Sequence, residues 1–442
     1  VIRYNEAVRQ FLNEVCSEIR SREAHPHIRQ ELESHLECLA EERESLGADR
    51  EEALKWAVAQ MGDPRLIGKD LHRIHRPKLE WGLLATIIAF IGYGIMAIYA
   101  LDKGVPVSSS TWGSEMLFLS KLAAAGLGLV IMVALYYFPY RKLQDLTWLL
   151  YAVLLIGLCL VLFLGSPING SPRYLSIGFF YIDWPGISSF LFILVAAGCL
   201  PAWFAERNHF FLRNVALLAP VVGLLALCKT TPAMVLVLVG YFTVLGSVTK
   251  RWKTSFALSL GSLITFCWLR LASNPFEKDR LLAFLNPDMD SYGSGYSYYR
   301  IAETIKAGGW LGQGLGSPLP QFPSMHSELI FTFSLYSFGW LAGIGLAVVV
   351  LYMISRFWHS FAQVRDPFGK HLVLGLASIL VFQLVYNLLM SVGLLPHLGI
   401  PLPFVSYGFY HMLYEMSAIG IILSIYRRKD LSAGSAGPAS AS

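Results

Sequence analysis

Charge is what this 442-residue sequence has least of: 15% of its residues are Asp, Glu, Lys or Arg, against about a quarter in an ordinary soluble chain. With 55% hydrophobic residues and a mean hydropathy of +0.52, that shortage excludes a single soluble domain and an intrinsically disordered chain. Paired cysteine spacing is also missing. Cys16, Cys38, Cys159, Cys199, Cys228 and Cys267 are scattered, which excludes a disulfide scaffold and a zinc module and reads as buried thiols acting as small hydrophobes. The first 80 residues lack the apolar core of a signal peptide, so no cleavable signal is expected and this head is expected to stay in the cytoplasm. The charge that is present is unevenly placed. The first 80 residues hold 13 Lys+Arg and 16 Asp+Glu, leaving 22 and 14 for the other 362, so two regions of different class are joined.

From Asn5 to about Ile74, apolar residues recur at helical spacing: Val8, Phe11, Leu12, Val15 and Ile19, then Ile28, Leu32, Leu36 and Leu39, then Leu54, Ala57, Val58 and Met61. Three amphipathic helices are expected to pack these stripes together in a prefix domain over 1–76. His25-Pro26 and Leu46-Gly47 separate them, Asp49 with Glu52 reads as an N-terminal capping pattern, and Gly62-Asp63-Pro64 closes the third. The prefix resembles the short helical heads of some bacterial permeases, which implies a cytoplasmic protein partner. Its five histidines interleave with Arg and Glu on faces expected to be solvated, and no metal site is expected there.

A helix needs about 20 apolar residues to cross a bilayer, and ten runs qualify or nearly so: 81–100, 116–138, 146–165, 185–205, 214–228, 233–249, 254–272, 327–354, 371–394 and 409–426. The fifth is short, and the fifth and sixth could be one kinked span; charge decides. With ten spans, Arg141-Lys142, Arg207 with Arg213, Lys250-Arg251-Lys253, Arg356 with Arg365 and Lys370, and Arg427-Arg428-Lys429 all fall on the side of the head, as basic loops should on the cytoplasmic face. The expected fold is therefore all-α and polytopic, a ten-helix membrane domain over 81–428 with both termini cytoplasmic. Outer loops fall at 101–115, 166–184, 273–326 and 395–408. The Ser, Ala, Gly and Pro of the 429–442 tail predict disorder.

The 273–326 loop is too long to be mere connection. It carries Tyr292-Gly-Ser-Gly-Tyr296 and five glycines between Gly308 and Gly316, which suit either a backbone cradle for phosphate or a tightly folded re-entrant loop. At the following helix start stands Glu328 with His326 beside it, a carboxylate favoured by the helix dipole and read as either a reactive group or an interfacial cap. Three prolines, at 401, 403 and 396, break any helix in the last loop.

These residues resemble the SEDS family (shape, elongation, division and sporulation) of the FtsW and RodA type. Gly399-Ile-Pro-Leu-Pro-Phe-Val-Ser-Tyr-Gly408 is close to its signature. Asn169-Gly-Ser-Pro-Arg-Tyr174 is similar to its Asn-Gly-Ala-x-Arg-Trp loop, Gly309-x-x-Gly-x-Gly-Leu-Gly316 matches its large loop, and Met325-His-Ser-Glu-Leu-Ile-Phe331 resembles its Ala-His-Thr-Asp-Phe-Ile-Phe. The resemblance implies a peptidoglycan glycosyltransferase that polymerises lipid II at the outer face, in cell wall synthesis, cell shape or division, usually with a single-span class B penicillin-binding transpeptidase; no nucleic acid partner is implied. Glu328 takes the place of the family's essential aspartate and is the expected general base. Arg173 and Lys121 are candidates for the phosphates, Lys121 equally for a structural role within the bundle. His326, Tyr174, Ser406 and Tyr407 complete the expected substrate-binding set. A divalent cation on the pyrophosphate would suit the chemistry, although no ligand cluster identifies one.

The chain departs from the family after the Asn169 loop, where Pro-Ser-Glu-Leu-Ala-Lys has become Pro185-Gly-Ile-Ser-Ser-Phe190, losing a glutamate at Ile187 and a lysine at Phe190. Lys229 stands where an aspartate is expected, and either replaces the lost lysine in space or caps a short helix. A non-catalytic scaffold that binds lipid-linked precursor or a transpeptidase is the alternative function. A lipid II flippase ranks last, because the spans offer few polar residues beyond Lys121, Gln383, Asn387 and Glu415. Gln383 and Asn387, four apart on one helix face, read as an interhelical hydrogen bond.

Overall fold

The computed structural model describes residues 6–20, 23–74, 78–104, 114–168, 171–177, 180–206, 209–273, 275–287, 295–317 and 325–429. Asn169-Gly170, Tyr292 to Ser294, Phe322 to Ser324 and the tail from Asp430 lie outside these residues, as do the side chains of Arg173 and Cys267. The chain divides into two units, one holding residues up to Leu79 with 363–366 and the end of the chain from Tyr426, the other Glu80–Ala362 and Pro367–Ile425.

The head contains four helices where three were expected: α1 (Glu6–Glu18), α2 (His25–Ser45), α3 (Arg50–Met61) and α4 (Pro64–Ile74). Gly62-Asp63-Pro64 is both a stop and a start. Gly62, at φ 90°, ends α3, and Asp63 then accepts a hydrogen bond from the Arg65 amide at 2.9 Å while Pro64 occupies the first turn, where its missing N–H costs nothing. His25-Pro26 likewise opens α2 rather than lying between helices, and Asp49 caps α3 through the Glu51 amide. Val8, Phe11, Leu12 and Val15 of α1 pack with Ile28, Leu32 and Leu36 of α2 and Leu54 and Ala57 of α3, and Ile67 and Leu71 of α4 close over them. Cys38 departs from the expectation of buried thiols: two residues past Leu36, it is turned away from the core and exposed.

The second unit is a bundle of long apolar helices: α5 (Trp81–Gly104), α6 (Ser114–Tyr137), the short α7 (Lys142–Asp145), α8 (Thr147–Leu164), α9 (Trp184–Glu206), α10 (Phe210–Leu227), α11 (Thr231–Thr249) and α12 (Trp252–Ser273). After α13 (Pro275–Leu285) and α14 (Tyr296–Gly308) follow α15 (Ile330–Gln363), α16 (Pro367–Ser391) and α17 (Phe409–Arg427). Among the described residues, eight of these helices are long and apolar enough to cross a membrane; α12 and α17 coincide with the seventh and tenth expected spans. The protein is thus all-α and polytopic, with one addition: the 166–184 loop forms a small antiparallel sheet of β1 (Ser166–Ile168), β2 (Ser171–Ile177) and β3 (Phe180–Ile182) beside α8 and α9. At the centre α11 packs against α9, α12 and α16. Ile193 of α9 inserts where Gly240 of α11 and Gly375 of α16 leave no side chain, the small-residue contact by which helices associate in lipid.

Candidate active site

The glycine-rich segment is spliced into a broken helix. At Gly339 (φ 75°) the course of α15 is interrupted, and the backbone groups released there are taken up by the segment after α14. Gln313 N–H donates to the Tyr336 carbonyl at 2.9 Å and Gly314 N–H to Ser337 at 3.0 Å, while Trp340 N–H donates to Gly309 at 3.0 Å. The two backbones lie so close that a Cβ at Gly312 would overlap the Ser337 carbonyl, and one at Gly339 the Trp310 carbonyl. The amides of Gly312, Gln313 and Gly314 are therefore engaged by protein carbonyls, which overturns the phosphate-cradle alternative for them and leaves the re-entrant fold. Non-helical backbone within an apolar helix persists where protein supplies its partners, as these carbonyls and amides do. The helix beyond the break, 340–363, is about 36 Å long and spans the hydrocarbon alone, which frees the first turns of α15 to present the preceding residues.

Glu328 lies in the turn just ahead of α15. Its Oε2 is 2.7 Å from His397 Nε2, with each side chain about one-fifth exposed. The backbone beneath is fixed: Asn387 of α16, fully buried, donates through Nδ2 to the carbonyls of both Glu328 and Ile400 at 2.8 Å. Gly399, at φ 75°, brings its backbone against the carboxylate, and a Cβ there would stand 3.0 Å from Oε1. The His397 amide donates to the Tyr298 hydroxyl of α14 at 3.0 Å, and its Nδ1 is buried without a partner. A carboxylate so held can accept a proton from a bound hydroxyl. His397 was not singled out from the sequence; its one signal is its place in a proline-broken loop beside the recognised motif.

The 401–408 loop is bolted to the same turn. Tyr407 N–H donates to the His326 carbonyl at 2.8 Å, and Ser406 Oγ donates to the Ser327 carbonyl at 2.6 Å while accepting from the Leu402 amide. The Tyr407 ring meets His326 edge-on at 5.7 Å. Loss of hydration lowers the His326 pKa, with Glu328 partly opposing it, so the ring is neutral at pH 7. Lys121 of α6 is 2% exposed and donates to the carbonyls of Phe404 and Ser406 at 2.7 and 2.8 Å. On the other side of the same residue, Phe404 N–H donates to Glu415 Oε2 of α17 at 2.8 Å. These two buried side chains hold Phe404 at φ 64°, a conformation that costs about 1–3 kcal/mol in a bulky residue. Of the two readings of Lys121, this geometry favours the structural one.

Lys229 is exposed between α10 and α11 at φ 55°, next to Thr230, which lines a pocket at the N-terminal ends of α9, α11 and α17. In that pocket Asp183 Oδ2 lies 3.3 Å from His411 Nε2, and Asp183 Oδ1 accepts from the Gly186 amide. Trp184, packed over Gly157 and donating to the Leu154 carbonyl at 3.3 Å, pins this end of α9 to α8. Phe190 is buried against Tyr414, ring centroids 4.9 Å apart, and Ile187 is half-buried. Arg173 and Tyr174 lie on β2, Tyr174 opposite Ser166 of β1. Glu328, His326, Ser406, Tyr407 and Lys121 are thus brought together, and Lys229 adjoins the pocket. Among the described residues no three His, Cys, Asp or Glu side chains converge as metal ligands.

Long apolar helices closing round an irregular, proline-broken loop with a carboxylate at its centre define a polytopic membrane protein whose site is built at the helix ends. The model of the FtsW, RodA and SpoVE family, described as "Cell cycle protein", matches residues 81–431, and the chain belongs to that family. It is similar to the "Probable peptidoglycan glycosyltransferase FtsW" of Thioalkalivibrio sulfidiphilus, 30% identical over 369 residues that cover 79% of this chain and 90% of the relative. A protein of the same name from Coxiella burnetii is 29% identical over 360 residues, covering 78% and 95%. Two solved structures share the fold. One, titled as structural coordination of polymerization and crosslinking by a peptidoglycan synthase complex, has a TM-score of 0.67 at 24% identity, covering 79% of this chain and 98% of the other. The rod shape determining protein RodA of Thermus thermophilus has a TM-score of 0.59 at 22% identity, covering 79% and 97%.

Proposed function

We propose that this chain is a peptidoglycan glycosyltransferase polymerising lipid II, with Glu328 as general base. The observation that carries the reading is the Glu328 carboxylate, set 2.7 Å from His397 in a turn whose backbone is fixed by Asn387, Ser406 and Tyr407. In the reaction an acceptor sugar hydroxyl gives its proton to Glu328 as its oxygen bonds to the anomeric carbon of the donor. The bond from that carbon to the pyrophosphate oxygen breaks, and undecaprenyl pyrophosphate leaves with the electron pair. Cationic help for the leaving group falls to Arg173 and Lys229, and His326 with Tyr407 flanks the acceptor. Lys121 acts on position, through the loop.

The side on which the basic clusters fall supports a reading with both termini in the cytoplasm and this site at the outer face, 1–76 being a prefix domain that engages a cytoplasmic protein and 81–428 the catalytic membrane domain. A single-span class B transpeptidase is the proposed partner, supported by the relative solved as a peptidoglycan synthase complex. One observation favours a second reading, a non-catalytic scaffold: Phe190 fills its position with a buried aromatic ring against Tyr414, where the family carries a lysine. Incubation of the purified protein with labelled lipid II, alone and with its transpeptidase, separates the two. Glycan chains that depend on Glu328 support the polymerase, and folded protein that binds lipid II without extending it supports the scaffold.

A further inference from the structure

The basic residues of the head are not spread evenly along it. Residues 1–64 hold 8 Lys+Arg and 14 Asp+Glu, whereas 65–78 hold Arg65, Lys69, Arg73, Arg76 and Lys78 against Asp70 alone. On α4 this run becomes a face. Arg65, Lys69 and Arg73 recur every four residues, and at about 3.6 residues per turn Leu66 falls among them, all four within about 100° of one another. Each of the four is exposed, Leu66 at 63%. The opposite face is taken up by the fold: Ile67 and Leu71 pack on the core, and Gly68 lies so close to α1 that a Cβ there would overlap the Val15 carbonyl and the Glu18 stem. Packing therefore holds the basic stripe outward. Elsewhere in the head basic side chains have partners, as Arg50 does in Glu37 and Glu44, and Lys55 in Glu51. Among the described residues, the side chains of Arg65, Lys69 and Arg73 form no ion pair.

What such a face meets is set by where the chain goes next. Seven residues after Ile74, Trp81 opens α5, the first of the long apolar helices, and seven residues reach at most about 25 Å. The stripe is thus tethered beside the bilayer surface, and Arg76 and Lys78 carry its charge toward the span. We infer that the Arg65, Lys69 and Arg73 face of α4 docks on the anionic phospholipid headgroups of the adjoining leaflet, the cations against headgroup phosphates and Leu66 among the headgroup stems. A juxtamembrane basic cluster answers the negative surface potential of the cytoplasmic leaflet, which is the side on which the positive-inside pattern puts the head. An acidic protein would also complement the charge, but the short tether keeps lipid always at hand, and an exposed leucine inside the stripe suits a headgroup layer. α1, α2 and α3, which hold the acidic excess, stay available to a cytoplasmic partner. This goes beyond the glycosyltransferase reading and does not depend on it.

The test uses the full-length protein in nanodiscs of phosphatidylcholine, alone or mixed with phosphatidylglycerol. Both faces of a disc have the same composition, so the outcome does not depend on which way the protein spans. Leu66→Cys in a Cys38→Ser background puts a thiol on the face, and its modification by a water-soluble maleimide is followed by peptide mass. At about fivefold per basic residue, three residues favour the docked state on the order of a hundredfold in the anionic discs. Modification should therefore be at least about tenfold slower there than in the neutral discs, and should recover in about 0.5 M salt. The triple substitution Arg65→Gln, Lys69→Gln and Arg73→Gln should restore it as well, with hydrogen exchange in α1 to α3 unchanged to show that the head is folded. Equal rates in the two kinds of disc overturn the inference. So does slow modification in both that survives the triple substitution, because protein then covers the face. Protection that arises only when soluble polyglutamate is added assigns the face to an acidic protein and overturns the lipid assignment too.

Discussion

Replacing Lys121 by Met removes the ammonium from beneath the 401–408 loop while keeping most of the apolar stem. The ammonium donates to Phe404 and Ser406 at 2.7 and 2.8 Å, and bonds to a charged group are worth about 1.5–3 kcal/mol each. Across Phe404 from it stands Glu415, which is 2% exposed and has Oε1 unpartnered; leaving a buried charge without its opposite typically costs about 3–5 kcal/mol. An ordinary interhelical polar contact in a membrane protein averages only about 0.6 kcal/mol, so the two pictures are well separated. We expect Lys121→Met to lose about 3–5 kcal/mol in reversible unfolding from mixed micelles, and polymerisation to fall with it as Ser406 and Tyr407 release the Glu328 turn. Adding Glu415→Gln should restore about 1–3 kcal/mol, because the uncompensated charge is removed. A loss below about 1 kcal/mol for the single variant, or a double variant no better than the single, would refute the clamp.

Gly339→Ala places a Cβ onto the Trp310 carbonyl at a φ of 75°, and should cost about 3 kcal/mol or more; unfolding at the wild-type midpoint would show that the splice is looser than described. His397→Asn removes the partner of Glu328 Oε2, and should lower kcat about ten- to a hundredfold with KM changed less than about twofold; a matching rise in KM instead would make His397 a substrate-binding residue. For His326 the folded pKa is lowered, so as pH falls below about 6.5 the unfolded chain takes up a proton first and stability decreases. Unfolding midpoints of wild type and His326→Asn, compared from neutral to mildly acidic pH, should therefore converge toward low pH as wild type loses its advantage; divergence in the opposite sense contradicts the sign.

The apolar runs were legible because a bilayer imposes a length that local sequence must meet: eight of the ten expected spans are helices long and apolar enough to cross it among the described residues, and α9 and α16 begin within four residues of where hydropathy puts them. Glu328 was legible as a charge at the start of an apolar helix, which lipid makes expensive. What escaped was whatever depends on long-range pairing. Gly339 sits in an unbroken apolar run, and only the complementary carbonyls and amides of 309–314 turn it into a break. Gln383 and Asn387 were read together as one interhelical bond, yet Asn387 bonds two backbone carbonyls while Gln383 is left facing a pocket. The pairing of His397 with Glu328 spans 69 residues of sequence and has no local signature, and the same holds for Asp183 and His411. The fourth head helix escaped because Gly62-Asp63-Pro64 reads as a stop and is also a start, and the sheet because β1 and β3 are only three residues each.

Polymerisation of labelled lipid II by purified wild type and Glu328→Gln tests the central claim most directly, because the substitution keeps the shape of the side chain and removes its ability to take a proton. The account predicts glycan chains from wild type and a loss of at least about a hundredfold in the variant, with both proteins unfolding alike. Equal chain formation by the two would contradict it and remove Glu328 from the chemistry.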